Sequence, residues 1–266
     1  MTNLENSIAK FDNPPIVEKL MGIYFDPLPK WSIPHFGLFW QEIKDHFPRF
    51  TTQPSLLIPE HPFSGFQTAR NLEDLVRCWF HHESELELIQ VQRNSFIYNW
   101  QQPAIHKEYP YHQRVRPEFE NAWRKFSNFL SDNKIDEPVI KYCEITYIDH
   151  LEKGREWENL SDLPNIIKCW SGLSGELLNF SPDLVTIQMV YTLPAIDGNL
   201  TVLLQPAIRS VDSKEIIQIT MRVVGNPASQ NIDDILSWFD VGRDCILKSF
   251  IDLTTNKMHT LWGKQD

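Results

Sequence analysis

Val185-Thr-Ile-Gln-Met-Val-Tyr191, Leu200-Thr-Val-Leu-Leu204 and Ile217-Gln-Ile-Thr-Met-Arg-Val223 are three runs built on the two-residue period of a β-strand. That period puts Val185, Ile187, Met189 and Tyr191 on one side of the first strand. Leu200, Val202, Leu204 and Ile208 share a side of the second, and Ile217, Ile219, Met221 and Val223 share a side of the third. Asp197-Gly198 and Asp212-Ser213 between the runs are turn chemistry, so the three strands read as an antiparallel meander. Immediately downstream, Asn231 is placed to cap a helix, and Asp233 and Asp234 put negative charge at the positive end of its dipole. Ile232, Ile235, Leu236, Phe239, Ile246, Phe250 and Leu253 follow at helical spacing, and the pattern predicts a helix reaching the neighbourhood of Met258. A meander followed by a long amphipathic helix is an α+β arrangement in which the helix covers one face of an antiparallel sheet and leaves the other for recognition.

Upstream, Val139 to Asp149 alternates, grouping Val139, Cys143, Ile145 and Tyr147. Asp149 falls on the Tyr147 side and Glu144 on the other, and a short helix is predicted after Ser161 around Leu163, Ile166, Ile167 and Trp170. The same series of elements occurs once before. A strand over Ile16 to Phe25 lies between Pro14-Pro15 and Pro27, and Phe36, Phe39, Trp40, Ile43 and Phe47 trace a helix that Pro48 stops. After a proline-rich loop over residues 51–70, strands are predicted near Leu75 to His82, Leu86 to Gln92 and Ser95 to Gln101, the last with Phe96, Tyr98 and Trp100 on one face. Phe119, Ala122, Trp123, Phe126, Phe129 and Leu130 then mark a buried helix face, with Pro117 suited to the first turn. The order of elements therefore repeats at an offset of roughly 120 residues. The expectation is an α+β fold: one compact antiparallel sheet built from two similar β-α-β-β-β-α halves, residues 1–135 and 136–266, with long helices packed on one face.

Composition sets the exclusions. A chain of 266 residues buries enough surface to need no disulfide staple, and 9 Trp with 16 Phe imply a thick core or adhesive surface. A net charge of −10 argues against a nucleic-acid partner, because such affinity depends on Lys and Arg displacing counterions; the best local basic group is Lys107, His112, Arg114 and Arg116. Cys78, Cys143, Cys169 and Cys245 form no C-x-x-C pair, which reads as buried thiols in a reducing compartment. Residues 1–13 lack the apolar core of a signal peptide and no apolar run is long enough to span a membrane, so the sequence reads as cytoplasmic, without a membrane partner.

No residue pattern in the chain supports a catalytic assignment. His81-His82 with Glu83, Glu85 and Glu87 is the densest group of metal-ligand types, yet its spacing matches no established site and it reads as a solvated turn. Ser171-Gly-Leu-Ser-Gly175 lacks the strand-to-helix setting of a nucleophile elbow, and glycine-rich phosphate loops are absent, so no cofactor and no metal are called for. Glu144, Asp149 and His150 place carboxylates and an imidazole along one strand. Tyr109, Tyr111, His112, Arg114 and Arg116, just before the long helix, could grip a carboxylate or phosphate; alternatively the tyrosines pack and the arginines pair with helix carboxylates. Trp31, Trp100, Trp157 and Trp262 lie outside the helix stripes and are candidate anchors for a protein partner, the alternative being that they seal the core edge.

Asn13-Pro-Pro-Ile-Val-Glu18, Glu144-Ile-Thr-Tyr-Ile-Asp-His150 and the ending from Phe250 to Leu261-Trp-Gly263 together resemble a sporadically distributed family of uncharacterised bacterial and archaeal proteins with an N-terminal Pro-Pro-Ile-Val-Glu strand. The resemblance implies an accessory component of a mobile or defence-linked locus, and it transfers no catalytic residue; Asp149 departs from the Asn of other members. Two functions follow as expectations. One is a non-enzymatic adaptor or scaffold that engages a protein partner through the free sheet face, with homo-oligomerisation compatible. The other is a small-ligand or hydrolytic pocket formed by His112, Arg114, Tyr147 and His150.

Overall fold

The computed structural model describes residues 10–56, 76–102, 112–172 and 182–265. Among the described residues nine strands form one antiparallel sheet: β1 (Ile16–Phe25), β2 (Arg49–Pro54), β3 (Val76–His81), β4 (Glu87–Gln92), β5 (Ser95–Gln101), β6 (Ile140–Glu152), β7 (Ile187–Leu193), β8 (Gly198–Ile208) and β9 (Glu215–Gly225). Their order is β2-β3-β4-β5-β1-β6-β9-β8-β7. The β1–β6 pair, in register from Glu18 opposite Ile148 to Tyr24 opposite Tyr142 with a shift at each end, lies between the two meanders. The helices are α1 (Ile33–Ile43), α2 (His112–Asp132), α3 (Leu163–Ile166), α4 (Ile232–Leu253) and α5 (Asn256–Leu261).

Directly opposed residues of an antiparallel pair share a face. Phe96 opposes Ile23, Met21 opposes Ile145, and Ile145 opposes Val223, so these side chains line one face from β5 to β9. Phe96 meets Phe119, Trp123 and Phe126 of α2, with ring centroids 5.1–6.4 Å apart. On the same face Phe80 of β3 meets Phe39 of α1 at 5.6 Å, and Ile145 and Val223 lie beneath Gly242 of α4. Phe119 and Phe239, 4.9 Å apart, join α2 to α4. Most of the described Phe and Trp side chains thus lie in one continuous core, the larger part of it between the sheet and these three helices.

Several expectations change. Residues 51–54, the start of the stretch read as a proline-rich loop, belong with Arg49 and Phe50 to an edge strand paired with β3; a polar run with a proline carries little strand signal, yet an edge position tolerates both. α2 begins at His112 and contains Pro117 in its interior, because Val115, 3% exposed, extends the buried stripe one turn upstream. Val139 precedes β6 and is exposed, and Tyr191 is exposed because β7 is the outer strand. The closing helix breaks at Thr254, whose backbone is extended and bridges Ile167; Thr255 then caps α5. Of the free cysteines Cys78 and Cys143 are buried as expected, but Cys169 is exposed and Cys245 half-buried. Among the described residues no helix is long and apolar enough to cross a membrane.

Candidate functional site

The face of the sheet opposite α1, α2 and α4 is polar. Gln90, Gln92, Ser95, Asn99, Glu144 and Thr146 all point to it and are buried. A hydrogen-bonded line crosses four strands: Arg77 Nη1 donates to Gln90 Oε1 at 3.0 Å, Gln90 Nε2 to Asn99 Oδ1 at 2.7 Å, and Asn99 Nδ2 to Glu18 Oε1 at 2.5 Å. Beside it, Glu144 accepts from Tyr24 Oη at 2.9 Å, from Thr146 Oγ1 at 2.9 Å and from Arg222 Nη2 at 2.7 Å. The Tyr24 and Tyr142 rings stack at 4.6 Å over this group. Burial alone pushes the Glu144 carboxyl up, but the hydrogen bonds and charge of Arg222, with Thr146 and Tyr24, outweigh it and hold the group below the usual carboxylate range. Burial first, and then the Glu144 charge, push the Tyr24 hydroxyl well up.

Among the described residues, four buried polar atoms on this face have no hydrogen-bond partner: Arg77 Nε, Trp79 Nε1, Ser95 Oγ and His150 Nδ1. Each such atom costs about 1–3 kcal/mol until it is paired. From β6 through β9 to β8 the face opens: Tyr142, Thr201, Gln205, Gln218 and Thr220 are half-buried, and the Arg222 side chain is 43% exposed.

The candidate residues named from the sequence do not assemble into one site. Tyr109 and Tyr111 lie outside the described residues, and His112 opens α2. Arg114 is exposed on α2, and Arg116 pairs with Asp240 of α4 at 2.9 Å, so of the two readings offered for it the structure shows the pairing with a helix carboxylate. Tyr147 faces the helices beneath Lys19, whose Nζ is 5.4 Å from its ring centroid, whereas His150 is on the opposite face. Strand alternation thus keeps Tyr147 and His150 from converging, which corrects the expected pocket.

Trp31, Trp100, Trp157 and Trp262 are 2%, 2%, 7% and 0% exposed and offer no surface to a partner. Trp157 Nε1 donates to Leu151 O at 2.9 Å and Trp262 Nε1 to Glu156 Oε1 at 3.2 Å, so both rings are also anchored through their polar edge. These four tryptophans therefore form no exposed aromatic surface, and the sheet face away from the helices is polar instead. A signal for it was available: Gln90, Gln92, Asn99 and Gln101 alternate with the apolar positions of β4 and β5. What the alternation could not show is that Glu18 and Arg77 close the line from other strands.

On the helix side, burial and then the charge of Arg243 lower the Lys19 ammonium well below its ordinary value. Burial pushes the Asp149 carboxyl up to about 7. No protein-family model and no curated protein matches the chain.

Proposed function

We propose that this chain is a non-enzymatic binding protein, an adaptor or scaffold, that engages a protein partner through the polar face of its sheet. The observation that carries the reading is the half-exposed polar strip of Tyr142, Thr201, Gln205, Gln218, Thr220 and Arg222 on β6, β9 and β8, on a face otherwise woven into hydrogen bonds. The amide, hydroxyl and guanidinium donors of that strip favour an acceptor-rich surface, such as backbone carbonyls and carboxylates. A pocket reading has less support, since Tyr147 and His150 face apart. The duplication belongs to the same proposal: β5-β4-β3 extend from β1 as β9-β8-β7 extend from β6, which supports two related halves within one compact domain sharing one recognition face. A role in a mobile or defence-linked locus, and a cytoplasmic setting, rest on the resemblance and composition.

The test is affinity capture from native cells with the parent chain and with Gln205→Lys and Thr201→Lys, which place charge on the open strip without touching the core. A stoichiometric protein partner recovered with the parent and lost with both variants is the expected result. Recovery of the chain with a bound metabolite and no protein, or a partner retained by both variants, overturns the reading.

A further inference from the structure

The β3–β4 turn folds against the end of α1, and this brings two imidazoles and a carboxylate together. His46 follows α1, His82 and Glu83 open the turn, and one potential ligand atom of each lies within 4.8 Å of the others. The backbone holds them there. Glu83 N donates to His46 O at 3.0 Å, His82 N donates to Glu87 O at 3.0 Å, and Phe47 N donates to Ile43 O at 2.9 Å. The His46 and His82 rings are parallel, 2° apart in tilt with centroids 6.4 Å apart, and the Phe47 ring stands edge-on to His82 at 5.2 Å. A pair of imidazoles fixed by packing and backbone bonds loses little freedom on binding an ion.

Ser84 supplies the orienting partner behind the ligand. Its hydroxyl is 2.7 Å from His82 Nδ1 and its N–H donates to the same nitrogen at 3.1 Å. The Ser84 N–H bond makes Nδ1 an acceptor; binding an ion at Nε2 would move the ring proton to Nδ1, exchanging the Ser84 N–H bond for one donated to the Ser84 hydroxyl. Glu85, the neighbouring carboxylate, is engaged by Arg49 at 2.7 Å, which leaves Glu83 as the anionic ligand. His46 and Glu83 are exposed and His82 half-buried, so an ion would enter from solvent and keep a position open.

We propose that His46, His82 and Glu83 bind a divalent transition-metal ion of the zinc type. Two imidazoles and one carboxylate suit zinc or cobalt, whereas magnesium and calcium take all-oxygen sets. The sequence showed only half of this site, because His46 comes from a different element and no spacing rule connects it to the His82 turn.

Cobalt is the probe. Titration of the full chain with Co²⁺ is expected to produce visible d–d bands that saturate at one ion per chain and vanish on adding Zn²⁺. Calorimetry with Zn²⁺ should show at least tenfold weaker binding for each of His46→Ala and His82→Ala, whose unchanged circular dichroism verifies the fold, and the zinc-induced rise in melting temperature should disappear with them. Absence of cobalt bands at millimolar metal, or binding by both histidine variants as tight as by the parent chain, overturns the proposal.

Discussion

Glu144 and Asp149 are two carboxylates on one strand with opposite outcomes. Glu144 faces the polar side, where Arg222, Thr146 and Tyr24 keep it ionised. Asp149 faces the helix side, is 5% exposed, and has its carboxyl pushed up by burial to about 7. An unfolded Asp titrates near 3.9, so between about pH 4 and 7 the folded chain holds a proton that the unfolded chain has lost. Stability from this group is therefore highest below about pH 4 and falls as the pH rises, with a penalty that levels off at about 4 kcal/mol above pH 7. Asp149→Asn is expected to raise stability by a few kcal/mol at pH 8 and to change it little at pH 4, as read by urea unfolding at the two pH values. The alternation of β6 revealed that these carboxylates point apart. Which one would receive a cation was hidden, since Arg222 arrives from β9.

α4 approaches the sheet closely enough that a Cβ on Gly242 would stand 2.9 Å from Ile145 Cγ2 and 3.5 Å from Val223 Cγ1. Alanine gains about 1 kcal/mol of helix propensity over glycine, but at 2.9 Å the stiff, fully buried Ile145 side chain must shift to admit the methyl group. Gly242→Ala is thus expected to destabilise by about 1 kcal/mol, and Gly242→Val, adding bulk with nowhere to go, by about 3 kcal/mol in thermal or chemical unfolding. The same element shows how a local rule yields to a partner. The apolar stripe continues past Leu253, but Thr254 N donates to Phe250 O, Lys168 N donates to Leu253 O and Thr255 N donates to Ile166 O, so the chain leaves α4 to pair with the segment after α3. Elements with strong periodicity, β8, β9 and α4 above all, were legible from sequence. β2 was not, because an exposed polar edge strand owes its conformation to the neighbour it pairs with.

At the scale of the molecule, the ends of the described chain are tied together. Asp12 N donates to Gly263 O, Asn13 N to Trp262 O and Gln265 N to Lys10 O, at 3.0, 3.0 and 2.8 Å. Trp262 is fully buried there, stacked on Phe250 at 5.2 Å and edge-on to Phe11 at 6.2 Å. Trp262→Ala should therefore cost about 3–5 kcal/mol and lower the midpoint of unfolding for the whole chain, since it empties a site shared by its first and last described segments. A loss below about 1 kcal/mol would show that the packing around Phe11 is not coupled to the rest of the fold.

By itself the sequence determined the alternation of every strand but β2, the apolar side of each long helix and the Asn231 cap, because these depend on residues a few positions apart and on the fixed periods of strand and helix. Only the tertiary structure decided that β1 and β6 join the two meanders, that the four tryptophans are sealed inside, that Glu18 and Arg77 belong to one polar line, and that His46 meets His82. Those outcomes depend on desolvation and hydrogen bonding between residues distant in the chain, whose free energy exists only once the sheet has placed them side by side.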